Sequence, residues 1–427
     1  MVGKISFRRC TMSFWRSTRS GTASSSARRC GRTSRRARRA LSVLRDRARE
    51  DRAVRITEIE VGYLAYPVPR PMWNGRGWRP ATRPMLLVRV HTDEGVTGVA
   101  EAALTVATPG VLAALVRDEI GGLVRGMDPL AVEAVWQRVL DAAGSASRAG
   151  LAIVALSAVD VALWDIRGKV AGLPVATLLG GSRARAPAYA SAGFYQEGQD
   201  ADELAAEMRS YVEQGFRYLK MKIGWLPLRD DLERITAVLA AIGADVPLAI
   251  DANGMLAPKD ALRLARELEG ANILWLEEPV ATDDVDGSAL VAAGTTIPIA
   301  GYETEHSLRG FRELVVRRAV DIVQPDVALT GGFTGCRKVA ALAEAWNLPC
   351  APHAFTSALT LVGNLHFVAS IPNGYLLELD RTPNALRDEL LLEELALDAD
   401  GCVAVPDGPG LGVTLNPDTV SRYRVAW

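Results

Sequence analysis

From residue 54 the chain alternates apolar and polar positions with a period of two. Val54-Arg55-Ile56-Thr57-Glu58-Ile59-Glu60-Val61 opens the stretch ITEIEVGYLAY and predicts a strand with one buried face. A Pro/Gly/Trp/Arg-rich segment, PVPRPMWNGRGWRPATRP, interrupts the pattern, and MLLVRVHTDEGVTGVAEA then reads as a hairpin turning at Asp93-Glu94-Gly95. Residues 109–180 read helical, with long Ala/Leu/Val runs such as AGLAIVALSAVDVALWDIRGKVAG. Strands followed by helices predict an α+β accessory domain.

After residue 186 the pattern changes to short apolar strands alternating with helical stretches. FRYLKMKIG, VPLAIDANG, ILWLEEPV, IPIAGYE, AVDIVQPD, LPCAPHAF and YLLELD mark strand ends, and polar residues close them at Lys222, Asp251, Glu277, Glu303, Asp326, His353 and Glu378. Successive intervals are 29, 26, 26, 23, 27 and 25 residues. One strand, one helix and two short loops need about that many, so the pattern is a βα repeat. With an earlier strand near 188–193 it predicts close to eight units, an α/β (β/α) TIM-type barrel with an N-terminal α+β capping domain. An open doubly wound sheet is the alternative, but no glycine-rich phosphate loop follows any strand. The expected divisions are a leader at 1–53, the capping domain at 54–185, the barrel at 186–400, and a segment at 401–427 returning to the capping domain.

Charge separates the leader from the rest. Residues 1–52 hold 15 Arg and Lys4 against Asp46, Glu50 and Asp51, whereas 53–427 holds 33 basic and 47 acidic residues. The acidic body argues against a nucleic-acid partner. The leader lacks hydrophobic periodicity, and its composition predicts disorder. Three readings stay open for it: a nucleic-acid tail, a targeting peptide, or sequence preceding a true start at Val54. No apolar run approaches the ~18 residues of a membrane span, so no membrane partner is expected. Five scattered cysteines without a CxxC pair predict no disulfide framework, no thiolate metal site, and a reducing, cytoplasmic setting.

Strand parity then assembles a site. Side chains two apart share a face, so Lys220 and Lys222 point into a closed barrel while Leu219, Met221 and Ile223 pack on the helices. The same parity puts Asp251 with Asn253, Glu277 with Trp275, and Glu303 with Gly301 inside. These side chains converge at the C-terminal mouth, where barrel enzymes keep their active sites. Burying Asp251, Glu277 and Glu303 together is costly without a cation, and three hard oxygen donors favour Mg²⁺ over zinc. A second ammonium and a desolvated site are expected to lower a lysine pKa, making Lys222 a usable base. Asp326, ending the preceding unit, is placed to orient His353 as a second base. His91, His306 and His366 lack such context and read as structural or surface residues. A base beside a divalent cation suits removal of the proton alpha to a carboxylate, the metal stabilising the enediolate. The handling of such a proton by Lys or His with Mg²⁺ is a known enolase-superfamily arrangement.

At this point residues 54–427 resemble the mandelate racemase group of the enolase superfamily. The resemblance rests on Lys220-Met221-Lys222, Asp251-Ala252-Asn253, Glu277-Glu278-Pro279, Gly301-Tyr302-Glu303, Gln324-Pro325-Asp326 with Gly331-Gly332, Pro352-His353 and Glu378, together with VDVALWDIRGK at 159–169 in its own helix. It implies Asp251, Glu277 and Glu303 as Mg²⁺ ligands, with Lys222 and the His353–Asp326 dyad as the acid/base pair. Lys220 would bind the substrate carboxylate and depress the pKa of Lys222. Glu378 would hydrogen-bond that carboxylate, with Asn253 and Ser191 as looser polar contacts. It also implies a homo-oligomer. Tyr302 departs from the group, whose members often carry Gly directly before the fifth-strand Glu, and is expected to narrow the site.

Two bases allow two outcomes on a small-molecule carboxylate. Returning a proton to the enediolate makes a racemase or epimerase of a 2-hydroxy acid. Protonating a β-hydroxyl expels water and leaves a 2-keto-3-deoxy acid. The loop at 67–84 carries Arg70, Asn74, Arg76 and Arg79 with Trp73 and Trp78, which suits hydroxyls, a second carboxylate and a sugar face better than an aryl acid. Trp73 and Arg76 are the expected substrate contacts, and dehydration of an aldonate or aldarate is the preferred reading. A non-catalytic homologue with a binding role is the reading from another class.

Overall fold

The computed structural model describes residues 54–103, 109–145, 149–181 and 183–426. The expectations for the leader fall outside them. Strands β1 (Ile56–Pro67), β2 (Met72–Trp73), β3 (Thr82–Thr92) and β4 (Thr97–Ala103) come first. β1, β3 and β4 form an antiparallel sheet in that order, and the hairpin between β3 and β4 turns at the expected Asp93-Glu94-Gly95. The helix Leu151–Ala171 is buried on nearly every face. It lies directly on β4: the Asp165 carboxylate accepts the Val99 N–H at 2.9 Å, and Gly98 faces the Ala162 carbonyl where no Cβ fits.

The second part is a barrel. Its staves are β5 (Arg185–Ser191), followed by the short β6 (Tyr195–Gln196) outside the barrel sheet, then β7 (Leu219–Lys222), β8 (Leu248–Asp251), β9 (Ile273–Glu277), β10 (Ile299–Gly301), β11 (Ile322–Val323) and β12 (Leu377–Asp380). Seven of them pair in parallel in the order β11-β10-β9-β8-β7-β5-β12. Cys350 bridges Val323 on one side and Gly374 on the other, which supplies the eighth stave and closes the ring. That stave is reduced to single bridges because Pro349 and Pro352 flank it and offer no N–H to a ladder. The predicted (β/α) barrel with an antiparallel N-terminal domain is therefore the fold.

An inner layer of Tyr189, Ala249, Trp275, Ala300, Ile322, Ala351 and Leu376 fills the barrel. Two residues further along most staves lie the polar residues Ser191, Asp251, Glu277, Gln324, His353 and Glu378, so one parity plugs the barrel below and arms its mouth above. β10 departs from this rule. Its inward residue is Ala300, not the expected Gly301, and the alternation changes phase at the Gly301–Tyr302 peptide, which is cis. Tyr302 then packs in the outer core and donates its hydroxyl to Ser288 at 2.9 Å. The side chain that was expected to narrow the site turns away from it.

Two further segments seat the mouth. β2 pairs with β6, Met72 opposite Gln196 and Trp73 opposite Tyr195, which lays the loop after β1 across the ends of β7 and β8. Gly75 is required there, since a Cβ would stand 2.5 Å from the Ile223 carbonyl oxygen and 2.8 Å from that of Ala252. At the C-terminal end, β13 (Cys402–Ala404) adds antiparallel to β5, and the Val425 N–H reaches the Tyr63 carbonyl of β1 at 2.9 Å.

Candidate active site

Asp251 and Glu277 are the last residues of β8 and β9, and Glu303 follows β10 by two residues. One oxygen from each carboxylate lies within 4.8 Å of the others. Asp251 and Glu277 are fully buried, so their environment is built for charge. Asp251 accepts the Asn253 N–H at 2.9 Å, and Glu277 accepts Trp275 Nε1–H and Gln324 Nε2–H, each at 2.9 Å. Lys220 contacts Glu277 and stands 2.9 Å from Glu378 and 3.6 Å from Asp251, while Lys222 contacts Asp251. Burial disfavours the Asp251 carboxylate, but the two ammoniums outweigh it and hold the group below the usual carboxylate range.

The lysines differ from expectation. Burial does pull the Lys222 ammonium down, but the Asp251 carboxylate in contact more than reverses this, and Lys220 opposes it only partly. The net shift is upward. The physical reason is that in this arrangement the two lysines are the cations that answer the buried acids.

His353 lies across from this cluster on the Cys350 stave. Its Nδ1 is 2.8 Å from Asp326 Oδ2, while Asp326 Oδ1 accepts the Ala328 N–H at 2.8 Å and Asn364 Nδ2–H at 2.9 Å. His353 Nε2 is 3.5 Å from Glu303. Burial disfavours the imidazolium, yet Glu303, Glu378 and Asp326 together push its pKa up to about 10. Glu378 accepts the Ala354 N–H at 3.1 Å, tying the end of β12 to the residue after His353.

Lys222 and His353 open on one cavity of about 170 Å³. Asn74, Arg76, Asn253, Thr304 and His306 give it polar walls, and Trp78, Phe194, Leu329 and Phe355 apolar ones. Of the loop and barrel residues expected to meet, Arg76, Lys222, Asn253, Glu303 and His353 do so at the cavity, while Lys220 and Glu378 are buried behind its wall. Trp73 does not line the cavity: pairing with β6 turns it onto Tyr195, stacked at 6.3 Å, with the Arg79 guanidinium 4.1 Å above its ring. Trp78 takes the wall position instead. Ser191 is buried with its hydroxyl unpartnered among the described residues, and it does not line the cavity either. His306, read from sequence as structural or surface, is part of the wall.

Glu278 enters the sequence reading only as the middle of Glu277-Glu278-Pro279, with no role of its own. It is fully buried at a positive φ of 37°, accepts the Thr304 hydroxyl at 2.6 Å, and faces Arg76 Nη2 at 3.5 Å. Burial first, then Glu303 and Asp251, push its pKa up to about 7. Its only sequence signal was its place beside Glu277. Phe194 and Phe355 gave less still, being single aromatics past strand ends.

The chain matches the model of the mandelate racemase/muconate lactonizing enzyme N-terminal domain over residues 59–180 and that of the enolase C-terminal domain-like family over 203–419. It is 37% identical over 346 residues to an arabinonate dehydratase of Saccharolobus solfataricus, covering 81% of this chain and 92% of the relative. It is 36% identical to a D-galactarolactone cycloisomerase of Agrobacterium fabrum, covering 87% and 99%. The solved structure of L-talarate/galactarate dehydratase from Salmonella typhimurium LT2, liganded with Mg and L-lyxarohydroxamate, superposes with a TM-score of 0.80 at 30% identity, over 88% of this chain and 94% of that one. On fold, motif order and extent of match, this chain belongs to the mandelate racemase/muconate lactonizing enzyme family, with its enolase-like C-terminal domain.

Proposed function

We propose that the protein is a Mg²⁺-dependent hydro-lyase that converts an acid sugar, an aldonate or aldarate, to its 2-keto-3-deoxy acid. The observation that carries this reading is that Lys222 and the Asp326-held His353 open on the same small cavity beside three convergent carboxylates. Asp251, Glu277 and Glu303 suit Mg²⁺ because all offer hard oxygen and none offers sulfur or nitrogen. When bound, Mg²⁺ supplies Lewis-acid stabilisation of the charge that grows on the substrate carboxylate.

The chain's own residues do the rest. Lys222 acts as the neutral amine: its ammonium, held by Asp251, must first give up its proton, and the free amine then takes the C2 proton as the C2–H bond breaks. His353 gives a proton to the hydroxyl leaving C3, so the C3–O bond breaks and water departs. The enol left between C2 and C3 becomes the ketone by ordinary tautomerisation. Lys220 binds the substrate carboxylate, and Asn253 and Arg76 face the hydroxyls. Glu378, an anion 2.9 Å from the Lys220 ammonium, steadies that lysine and, contrary to expectation, does not donate to the substrate. Relatives named as arabinonate and talarate/galactarate dehydratases support the substrate class. A cytoplasmic homo-oligomer is part of the same proposal, and native mass tests the assembly.

An isomerase is the second reading. The same two bases serve it if His353 returns its proton to carbon, and the resemblance to a cycloisomerase favours keeping it. Proton NMR in D₂O with Mg²⁺ and a panel of aldonates, aldarates and aryl 2-hydroxy acids separates them. A 3-deoxy-2-keto product supports the lyase. Exchange of the C2 proton without that product replaces it with the isomerase, and silence across the panel removes both.

A further inference from the structure

Two cavities meet at His306. It lines the active-site cavity and also a larger one of about 560 Å³ that is walled by Trp136, Gln137, Ser307 and Arg309. Its Nδ1 accepts the Gly150 N–H at 3.1 Å. A ring nitrogen that accepts a hydrogen bond carries no proton, so the neutral ring holds its proton on Nε2. Burial keeps the ring neutral by lowering its pKa, with Glu305 and Asp326 opposing. Gly150 is the residue before the helix Leu151–Ala171, so the N-terminal domain dictates the tautomer of a barrel residue.

Several neighbouring polar groups are already engaged, whereas Asn253 Oδ1 is unpartnered among the described residues and can only accept. Arg76 donates to the Asn253 carbonyl and faces Glu278, and Thr304 gives its hydroxyl proton to Glu278. Asn74 Oδ1 accepts the N–H groups of Arg76 and Trp78. Among the described residues, His306 Nε2–H has no partner.

We propose that His306 is a substrate-recognition residue whose Nε2–H donates to an oxygen carried beyond C3 of the acid. It selects for acids with a hydroxyl or carboxylate at that distance. The inference rests on the acid-sugar reading above, and it adds a specificity contact outside the acid/base and carboxylate groups.

The test joins NMR with kinetics. The chain has four histidines, so ¹⁵N-histidine spectra of the whole protein are assignable, the His306 signal being the one lost in H306F. Phenylalanine is chosen over alanine because removing the ring would merge the two cavities. At pH 7.5 the His306 ring is expected as the neutral Nε2–H tautomer, and a Nδ1–H tautomer or an imidazolium overturns the inference while leaving the acid-sugar reading intact. With Mg²⁺ and arabinonate, galactonate or galactarate, H306F is expected to raise KM about tenfold, the worth of one neutral hydrogen bond, with kcat nearly unchanged. H306N, which restores an N–H at shorter reach, is expected to recover part of that loss and keeps the test alive should H306F fold poorly. An unchanged KM in both variants, or a fall in kcat alone, sinks the recognition role. If the wild type acts on none of the three acids, the acid-sugar reading falls and takes this inference with it.

Discussion

Asp326 grips His353 through one oxygen and is itself gripped through the other by Asn364 and a backbone N–H. Replacing it by asparagine keeps the shape and removes the charge that steadies an imidazolium. D326N is therefore expected to slow dehydration by about 10²- to 10⁴-fold, the usual worth of an oriented acid/base. Exchange of the C2 proton with D₂O, which falls to Lys222, is expected to persist. If both rates drop together in the same NMR assay, the division of labour between the two bases is wrong. The carboxylate triad makes a second prediction. A ligand that binds only the folded state at 100 times its Kd stabilises by about 2.7 kcal/mol. Saturating Mg²⁺ is thus expected to raise the melting temperature of the wild type and not of E277Q, and an equal rise in both would count against the triad. These residues were legible because strand ends carry them at βα spacing and parity aims them inward. Glu278 and His306 were not, because each lies past its strand, where a turn and no longer an alternation sets direction; Glu278 has a positive φ. Trp73 was misplaced for a related reason: a two-residue pairing with β6 decides which of the loop's tryptophans faces the cavity.

Among elements, β3 and β12 are fastened by a single side chain. Arg83 on β3 is 2.7 Å from the Asp380 carboxylate at the end of β12, donates to Thr382 Oγ1 at 3.2 Å, and contacts the Phe355 carbonyl. Its guanidinium also lies 3.8 Å over the Phe355 ring, which walls the cavity two residues after His353. Both ions of the pair are buried, so removing one leaves the other uncompensated. R83A is expected to cost about 3–5 kcal/mol in urea denaturation, and adding D380N is expected to recover part of it. A loss below 1 kcal/mol would show that the pair does not carry the junction. Because Arg83 also holds the Phe355 loop, R83A is expected to raise KM as well. The elements themselves were largely readable from period and spacing. Two were not: the Cys350 stave, thinned by its flanking prolines, and β10, whose phase change no alternation rule contains.

At the scale of the whole molecule, three distant stretches of chain meet at His366. Its Nδ1 accepts the Ala176 N–H at 3.1 Å, and its Nε2–H donates to the Leu411 carbonyl at 3.0 Å. Asp165 accepts the N–H of the same Leu411 at 2.9 Å, so the C-terminal segment is held from both sides of one residue. The sequence leaves His366 as a structural or surface residue and does not say what it joins, since its partners lie 190 and 45 residues away. Both ring nitrogens are used by the neutral form, and burial drives the pKa from 6.5 down to about 4. The unfolded chain therefore takes up this proton first as pH falls. The stabilisation is whole above pH ~6.5 and drains away as pH falls through about 4, amounting to about 3 kcal/mol over that window. Asp160, which burial raises to about 7, works in the opposite direction, its contribution being full at low pH and lost as pH rises through 7. A single stability profile therefore mixes the two, and the comparison must be made against H366Q, in which Asp160 is unchanged. Chemical denaturation at pH 7.5, 6, 5 and 4 is expected to show the wild type's advantage over H366Q shrinking by up to about 3 kcal/mol. An advantage that stays constant with pH would mean that His366 is not neutral in the fold, and that the junction of the three segments rests on packing around the ring and not on its two hydrogen bonds.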